Sequence, residues 1–92
     1  MAKVIVTAQV QDAVKWESGF RTHGDFFKSY SIRKPVQYAV TAGNQTAVCF
    51  EPEDLATFMK RMESPETAAA MASDGVKRET VKVFVLDKEL VL

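Results

Sequence analysis

Val36-Gln37-Tyr38-Ala39-Val40-Thr41-Ala42-Gly43-Asn44-Gln45-Thr46-Ala47-Val48-Cys49-Phe50 is two β-rich runs joined by a turn signal, and its reading decides the fold. Val36, Tyr38 and Val40 alternate with Gln37, Ala39 and Thr41, the period of two that lines one strand face with apolar side chains. A strand is expected from about Val36 to Ala42, and Pro35, with no N–H to give a ladder, suits its start. Gly43 and Asn44 are expected to supply the positive-φ residues of a tight hairpin turn. A further strand then runs from Thr46 to Phe50. The centre of the chain reads as an antiparallel hairpin.

Outward from it, each flank repeats one strand and one helical region. Lys3 to Val10 is rich in β-branched residues and reads as the first strand. Asp12 is placed to cap a helix from Ala13 to about His23, with Gly24 ending it. On that helix Trp16, Phe20 and His23 are spaced i, i+4, i+7 and share a face. Residues 24–31 form an aromatic-rich connection, expected to fold back over the sheet or onto a partner because exposed rings are costly. After the hairpin, Pro52 suits the first turn of a helix, with Glu53 and Asp54 near its positive end. Leu55, Phe58, Met59 and Met62 follow at helical spacing. Ser64-Pro65-Glu66 restarts a short alanine-rich helix that Gly75 ends, and Thr80 to Leu86 is the last strand. The order β-α-β-β-α-β gives an α+β fold: a four-stranded antiparallel sheet with helices on one face. No linker, repeat or low-complexity tract interrupts it, so residues 1–92 read as a single domain.

The first and last strands carry more apolar residues than one buried face needs. Ile5 opposes the Val4 and Val6 face, and Phe84 and Leu86 alternate with Val81, Val83 and Val85. A two-layer sandwich leaves its second sheet face wet and polar. Apolar character on both faces calls for a second cover, and a second copy of the chain is the simplest one. A homodimer packed sheet against sheet is expected, with the apolar tail Glu89-Leu90-Val91-Leu92 reaching across to the partner.

Composition narrows the partners. The 92 residues hold 12 Lys and Arg against 12 Asp and Glu, so no basic excess points to nucleic acid. The N-terminal run is too short and polar for a signal sequence or membrane span, and the single cysteine, Cys49, cannot form an intrachain disulfide. These features lead to an expected cytoplasmic location. No His, Cys, Asp or Glu spacing suggests a metal, and no Gly-rich strand–helix turn suggests a nucleotide.

With the Trp16-x3-Phe20-x2-His23 helix, the central hairpin and the last strand in place, the chain resembles the dimeric α+β barrel superfamily of ferredoxin-like domains. The resemblance covers nearly the whole length. That superfamily includes small cofactor-independent monooxygenases of antibiotic biosynthesis, muconolactone isomerases and stress-responsive barrels. The resemblance implies a homodimer, a pocket between sheet and helices, and chemistry without a cofactor. Other families of this topology fit worse. The strands Val4-Ile5-Val6-Thr7 and Thr46-Ala47-Val48-Cys49-Phe50 lack the paired exposed aromatics of an RNA-recognition module. One cysteine is too few for a copper chaperone, and Gln11-Asp12-Ala13 is not an acylphosphatase-type phosphate loop.

His23 is the one histidine, and so the one side chain whose ordinary titration falls near neutrality. Within the resemblance it is the candidate catalytic acid or base, with Asp25 a candidate to orient it; otherwise it caps the carbonyls at the helix end. Trp16, Phe20, Phe27 and Tyr30 are the candidate walls of a site for a small aromatic or apolar ligand. Tyr38, or Tyr30, is the candidate donor to a developing enolate or phenolate oxygen. The alternative for all these rings is the core that any small domain needs. Gly19, costly mid-helix, either lets the helix approach the sheet closely or leaves room for a ligand. Cys49 reads as a buried small hydrophobe, and Met59, Met62 and Met71 as adaptable filling. Arg21, Arg33 and Lys34 flank the aromatic connection and suit either solvent or a substrate carboxylate. Two functions remain: an enzyme moving a proton for isomerisation or oxygenation, and a non-catalytic ligand-binding or protein-interaction module.

Overall fold

The computed structural model describes residues 3–92. In chain order it forms β1 (Val4–Val10), α1 (Ala13–Phe20), α2 (Gly24–Lys28), β2 (Gln37–Val40), β3 (Gln45–Phe50), α3 (Leu55–Met62), α4 (Pro65–Ser73) and β4 (Val76–Val85). All four strands pair antiparallel in the order β2-β3-β1-β4. The two strands adjacent in the hairpin thus lie on one side of the sheet, and the first and last strands pair directly.

The hairpin closes between Thr41 and Gln45, whose N–H···O bond measures 2.9 Å. Asn44 alone takes the left-handed conformation, at φ 59°; Gly43 does not, which differs from the expectation that both would. Asn44 does more than turn the chain. Its carbonyl accepts from the Val10 N–H at 2.9 Å and its side-chain Oδ1 accepts from the Ala13 N–H at 3.1 Å. The hairpin tip therefore holds the junction between β1 and α1, where Asp12 caps the next two amides.

The first helix is shorter than its periodicity suggests. The Thr22 hydroxyl donates to the Gly19 carbonyl at 2.6 Å, competing with the helical ladder, and the chain tightens there. Gly24 consequently begins α2 instead of ending α1. The aromatic connection folds back as expected: Phe26 and Phe27 pack against the core and Tyr30 lies within it. Asp54, not Pro52, opens the third helix, accepting from the Ala56 and Thr57 amides, while Pro52 forms an isolated bridge with Ile32. Gly75, at φ 77°, ends α4 and turns directly into β4. That strand starts at Val76, before the expected Thr80, because the β1–β4 register shifts between Thr7 and Gln9. The Thr80 hydroxyl spans the irregularity, accepting from the Gln9 N–H at 2.8 Å and donating to the Lys77 carbonyl at 2.6 Å.

Val4, Val6 and Val10 of β1 face the helices with Val48 and Phe50 of β3. Phe58 of α3, fully buried, drives into them. Rings continue the core in a chain: Phe58 to Phe50 at 5.3 Å, Phe50 to Phe27 at 5.3 Å, Phe27 to Phe20 at 5.2 Å and Phe20 stacked on Trp16 at 4.6 Å. On the other sheet face, Phe84, Ile5 and Cys49 stand side by side across three strands. Cys49 is thus partly exposed on the outer face, not buried in the core as expected, because its strand parity opposes that of Val48 and Phe50.

Candidate functional site

A cavity of about 90 Å³ lies between the helices and the inner face of the sheet. Its floor includes Val6 and Val48, and its walls include Trp16, Phe20 and Phe27. Met62 and Met71 complete an almost wholly apolar lining, where flexible thioethers can yield to a ligand's shape. The polar groups that reach it include His23, Asp74, Tyr30 and Thr67.

His23 sits in the turn between α1 and α2, and its side chain caps neither helix. Its Nε2 lies 2.8 Å from Asp74 Oδ2, and both side chains are largely buried. A carboxylate can only accept, so Nε2 carries the proton and Nδ1 is left as the basic nitrogen of a neutral ring. Asp74 thereby fixes the tautomer and offsets the charge the ring gains on taking a proton. Asp25, the partner expected from sequence, instead pairs with Lys28 at 3.3 Å on the surface. Sequence reading missed Asp74. The signal was present: an acid at a helix C-terminus opposes the helix dipole, so such a residue asks for a cationic or N–H partner.

Gly19 explains how Asp74 gets there. A Cβ at position 19 would collide with the Asp74 carboxylate, so the acid holds this position against α1 because this residue has no side chain. The glycine makes room for the His23–Asp74 pair.

The two tyrosines separate. Tyr30 is buried, and its hydroxyl bonds to Thr67 Oγ1, which in turn donates to the Arg61 carbonyl at 2.5 Å. Because Thr67 spends its proton on Arg61, Tyr30 is the donor of the pair. Burial pushes the Tyr30 phenol up to about 12, against the nearby Arg61 charge, which acts to lower it. It stays protonated and suits hydrogen-bond donation. Tyr38 lies outside the cavity. Its hydroxyl donates to Glu17 Oε2 at 2.5 Å and accepts from the Arg21 guanidinium at 2.9 Å, while its ring braces Trp16 and Phe20 edge-on. The structure thus brings His23, Trp16, Phe20, Phe27 and Tyr30 together and leaves Tyr38 behind the wall. Its inward ring and outward hydroxyl follow from a half-buried strand position whose tip reaches α1.

Among the described residues, no group of three or more His, Cys, Asp and Glu side chains could hold a metal ion, and no helix is long and apolar enough to cross a membrane.

No protein-family model matches the chain, and no curated protein sequence does. Solved structures do. A candidate antibiotic biosynthesis monooxygenase from Bordetella bronchiseptica superposes with a TM-score of 0.74 at 16% identity, covering 97% of each chain. SnoaB, a cofactor-independent oxygenase from Streptomyces nogalater, gives 0.68 at 14% identity over 99% of this chain and 95% of its own. Rv0793 from Mycobacterium tuberculosis gives 0.63 at 15% identity over 98% and 96%. The chain has the ferredoxin-like α+β fold of these structures over nearly its whole length, which bears out the fold expected from its sequence.

Proposed function

We propose that this protein takes a small, largely apolar organic molecule into the cavity under α1 and moves a proton with His23, as a cofactor-independent oxygenase or isomerase. One observation carries the reading: the chain's one histidine, its tautomer held by Asp74 at 2.8 Å, meets a largely apolar cavity. Such surroundings exclude water and strengthen every charge interaction made inside. His23 Nδ1 takes a proton from an acidic carbon or phenol of the substrate. Tyr30, kept protonated by burial, exchanges Thr67 for the substrate oxygen and stabilises the enolate or phenolate. In an isomerisation His23 returns the proton to a different carbon; in an oxygenation the carbanion adds dissolved oxygen, the peroxide takes the proton back from His23 as a hydroperoxide, and loss of water from that hydroperoxide leaves a carbonyl. That SnoaB, of the same fold, is a cofactor-independent oxygenase supports the second course.

We also propose that two copies pair through the outer sheet face. Phe84, in a row with Ile5 and Cys49, and Leu86 just past β4 are about half exposed, and the tail residues Leu90 and Val91 lie open beyond them. Pairing would cover this apolar strip and leave the His23 cavity, on the opposite face, free.

The competing reading is a ligand-binding module in which the His23–Asp74 bond only ties α2 to α4. The satisfied Tyr30–Thr67 bond and the small cavity favour it. Replacing His23 separates the two. His23→Ala should abolish turnover while the dimer persists; a variant with unchanged turnover, or with lost stability and retained activity per folded molecule, supports the module.

A further inference from the structure

The cavity is too small for the substrates its chemistry suits. About 90 Å³ is the share of some three liquid waters, at roughly 30 Å³ each, and less than the roughly 150 Å³ that accepts a benzene. On the far side of Phe20 and Phe27 lies an open groove of about 610 Å³, within the range of about 300–1,000 Å³ typical of ligand sites. Both rings line the cavity and the groove, so they form the partition between them. Ile32, Pro35 and Val36 supply an apolar floor to the groove. Its charged lining is all of one sign: Arg21, Lys28, Arg33 and Lys34 border it and no carboxylate does. Each cation is paired, Arg21 with Glu17 at 3.7 Å, Lys28 with Asp25 at 3.3 Å, Arg33 with Glu53 at 2.6 Å and Lys34 with Glu51 at 3.1 Å, but none of these acids lines the groove, and a surface ion pair is weak enough for a ligand anion to compete with it.

We infer that the groove is the outer half of the substrate site and recognises an amphipathic anion: a flat apolar body carrying a carboxylate or comparable acidic group. Arg33 and Lys34 hold the anionic head by charge-assisted hydrogen bonds, the body lies on Ile32 and Pro35, and Phe20 and Phe27 swing to admit the reacting end toward His23. This names the substrate class of the cavity and rests on the reading of His23 given above. A chain of zero net charge has no general attraction for anions, so the selectivity belongs to this local arrangement.

The test is binding of 2-naphthoate and of its neutral counterpart 2-naphthylmethanol to the isotopically labelled protein, followed by NMR. Naphthoate is expected to bind about tenfold more tightly than the alcohol. Amide shifts should concentrate at residues 28–38, with contacts from the naphthyl protons to the Phe20 and Phe27 rings. The exposed double variant Arg33→Gln/Lys34→Gln, checked for an unchanged spectrum elsewhere, should lose that tenfold preference while binding the alcohol as before. Equal affinity for the two probes, unchanged naphthoate binding by the double variant, or shifts confined to another face each overturn the inference. The role of His23 is read separately, by the turnover of His23→Ala and not by binding of these probes. The groove can therefore fail while His23 still proves catalytic, and the reverse, and the two results are told apart.

Discussion

Gly19 and Asp74 meet where a methyl group would not fit, and that fit is what brings an acid at the end of α4 against His23. Two distant parts of the chain, a glycine in the last turn of α1 and a helix-terminal aspartate, thus share one task. Neither choice suits its helix locally: glycine costs about 1 kcal/mol relative to alanine, and the aspartate faces the negative end of a dipole. Both conflicts resolve at the histidine.

Gly19→Ala tests this coupling. The helix gains about 1 kcal/mol of propensity, which offsets the lost pair, so urea unfolding should place the variant within about 1 kcal/mol of wild type. The imidazole nitrogen signals of His23 should nevertheless move in the direction seen for Asp74→Asn. Unaltered signals would mean that Asp74 finds room beside an alanine and that Gly19 serves another purpose.

Tyr30→Phe addresses the buried phenol. The group titrates near 12 in the folded protein and near its ordinary 10 when unfolded. Below pH 10 the phenol is protonated in both states and its contribution is complete. As pH rises from 10 toward 12 the unfolded chain ionises first, and that stability is lost. The variant should cost about 1 kcal/mol at neutral pH, from the lost bond to Thr67, and should show a shallower fall in stability above pH 10. Chemical denaturation at a series of alkaline pH values measures both.

Phe58→Ala opens a hole where α3 meets Phe50 and Tyr30. The ring is fully buried, so the loss should be about 3 to 5 kcal/mol, much of what a domain of this size holds. Circular dichroism should find the variant unfolded or melting far below wild type.

Phe84→Asp places a charge in the middle of the proposed sheet-to-sheet contact. Sedimentation at micromolar concentration should find a folded monomer in place of a dimer. A wild-type monomer, or a variant that remains dimeric, removes this face as the interface.

The fold was legible because its signals are local. Alternation in Val36–Val40, the turn at Asn44 and the caps Asp12 and Ser64 each act within a few residues. Element ends were less legible: Thr22 cut α1 short through a side-chain bond to a carbonyl, and Thr80 hid the early start of β4 by filling a ladder irregularity. The site was half legible. Helical spacing grouped Trp16, Phe20 and His23, and the cavity joins them even though His23 lies past the helix end. Its partner could not be read from spacing, since Asp74 is 51 residues away in sequence and meets it only through the packing of α4 on the sheet. The two tyrosines likewise differ by tertiary surroundings alone: Thr67 waits for one and Glu17 for the other.

His23 is proposed as the group that takes a proton, and exchange of substrate hydrogen with deuterated solvent reads that step alone. Under anaerobic conditions in deuterium oxide, enolisable aromatic carbon acids bearing a carboxylate are to be followed by proton NMR with wild type, His23→Ala and His23→Gln. Wild type should incorporate deuterium at the acidic carbon, and both variants should lose at least about a hundredfold in rate while retaining fold and dimer. Incorporation at the wild-type rate by the His23 variants would contradict the account and leave the cavity a binding site without a base.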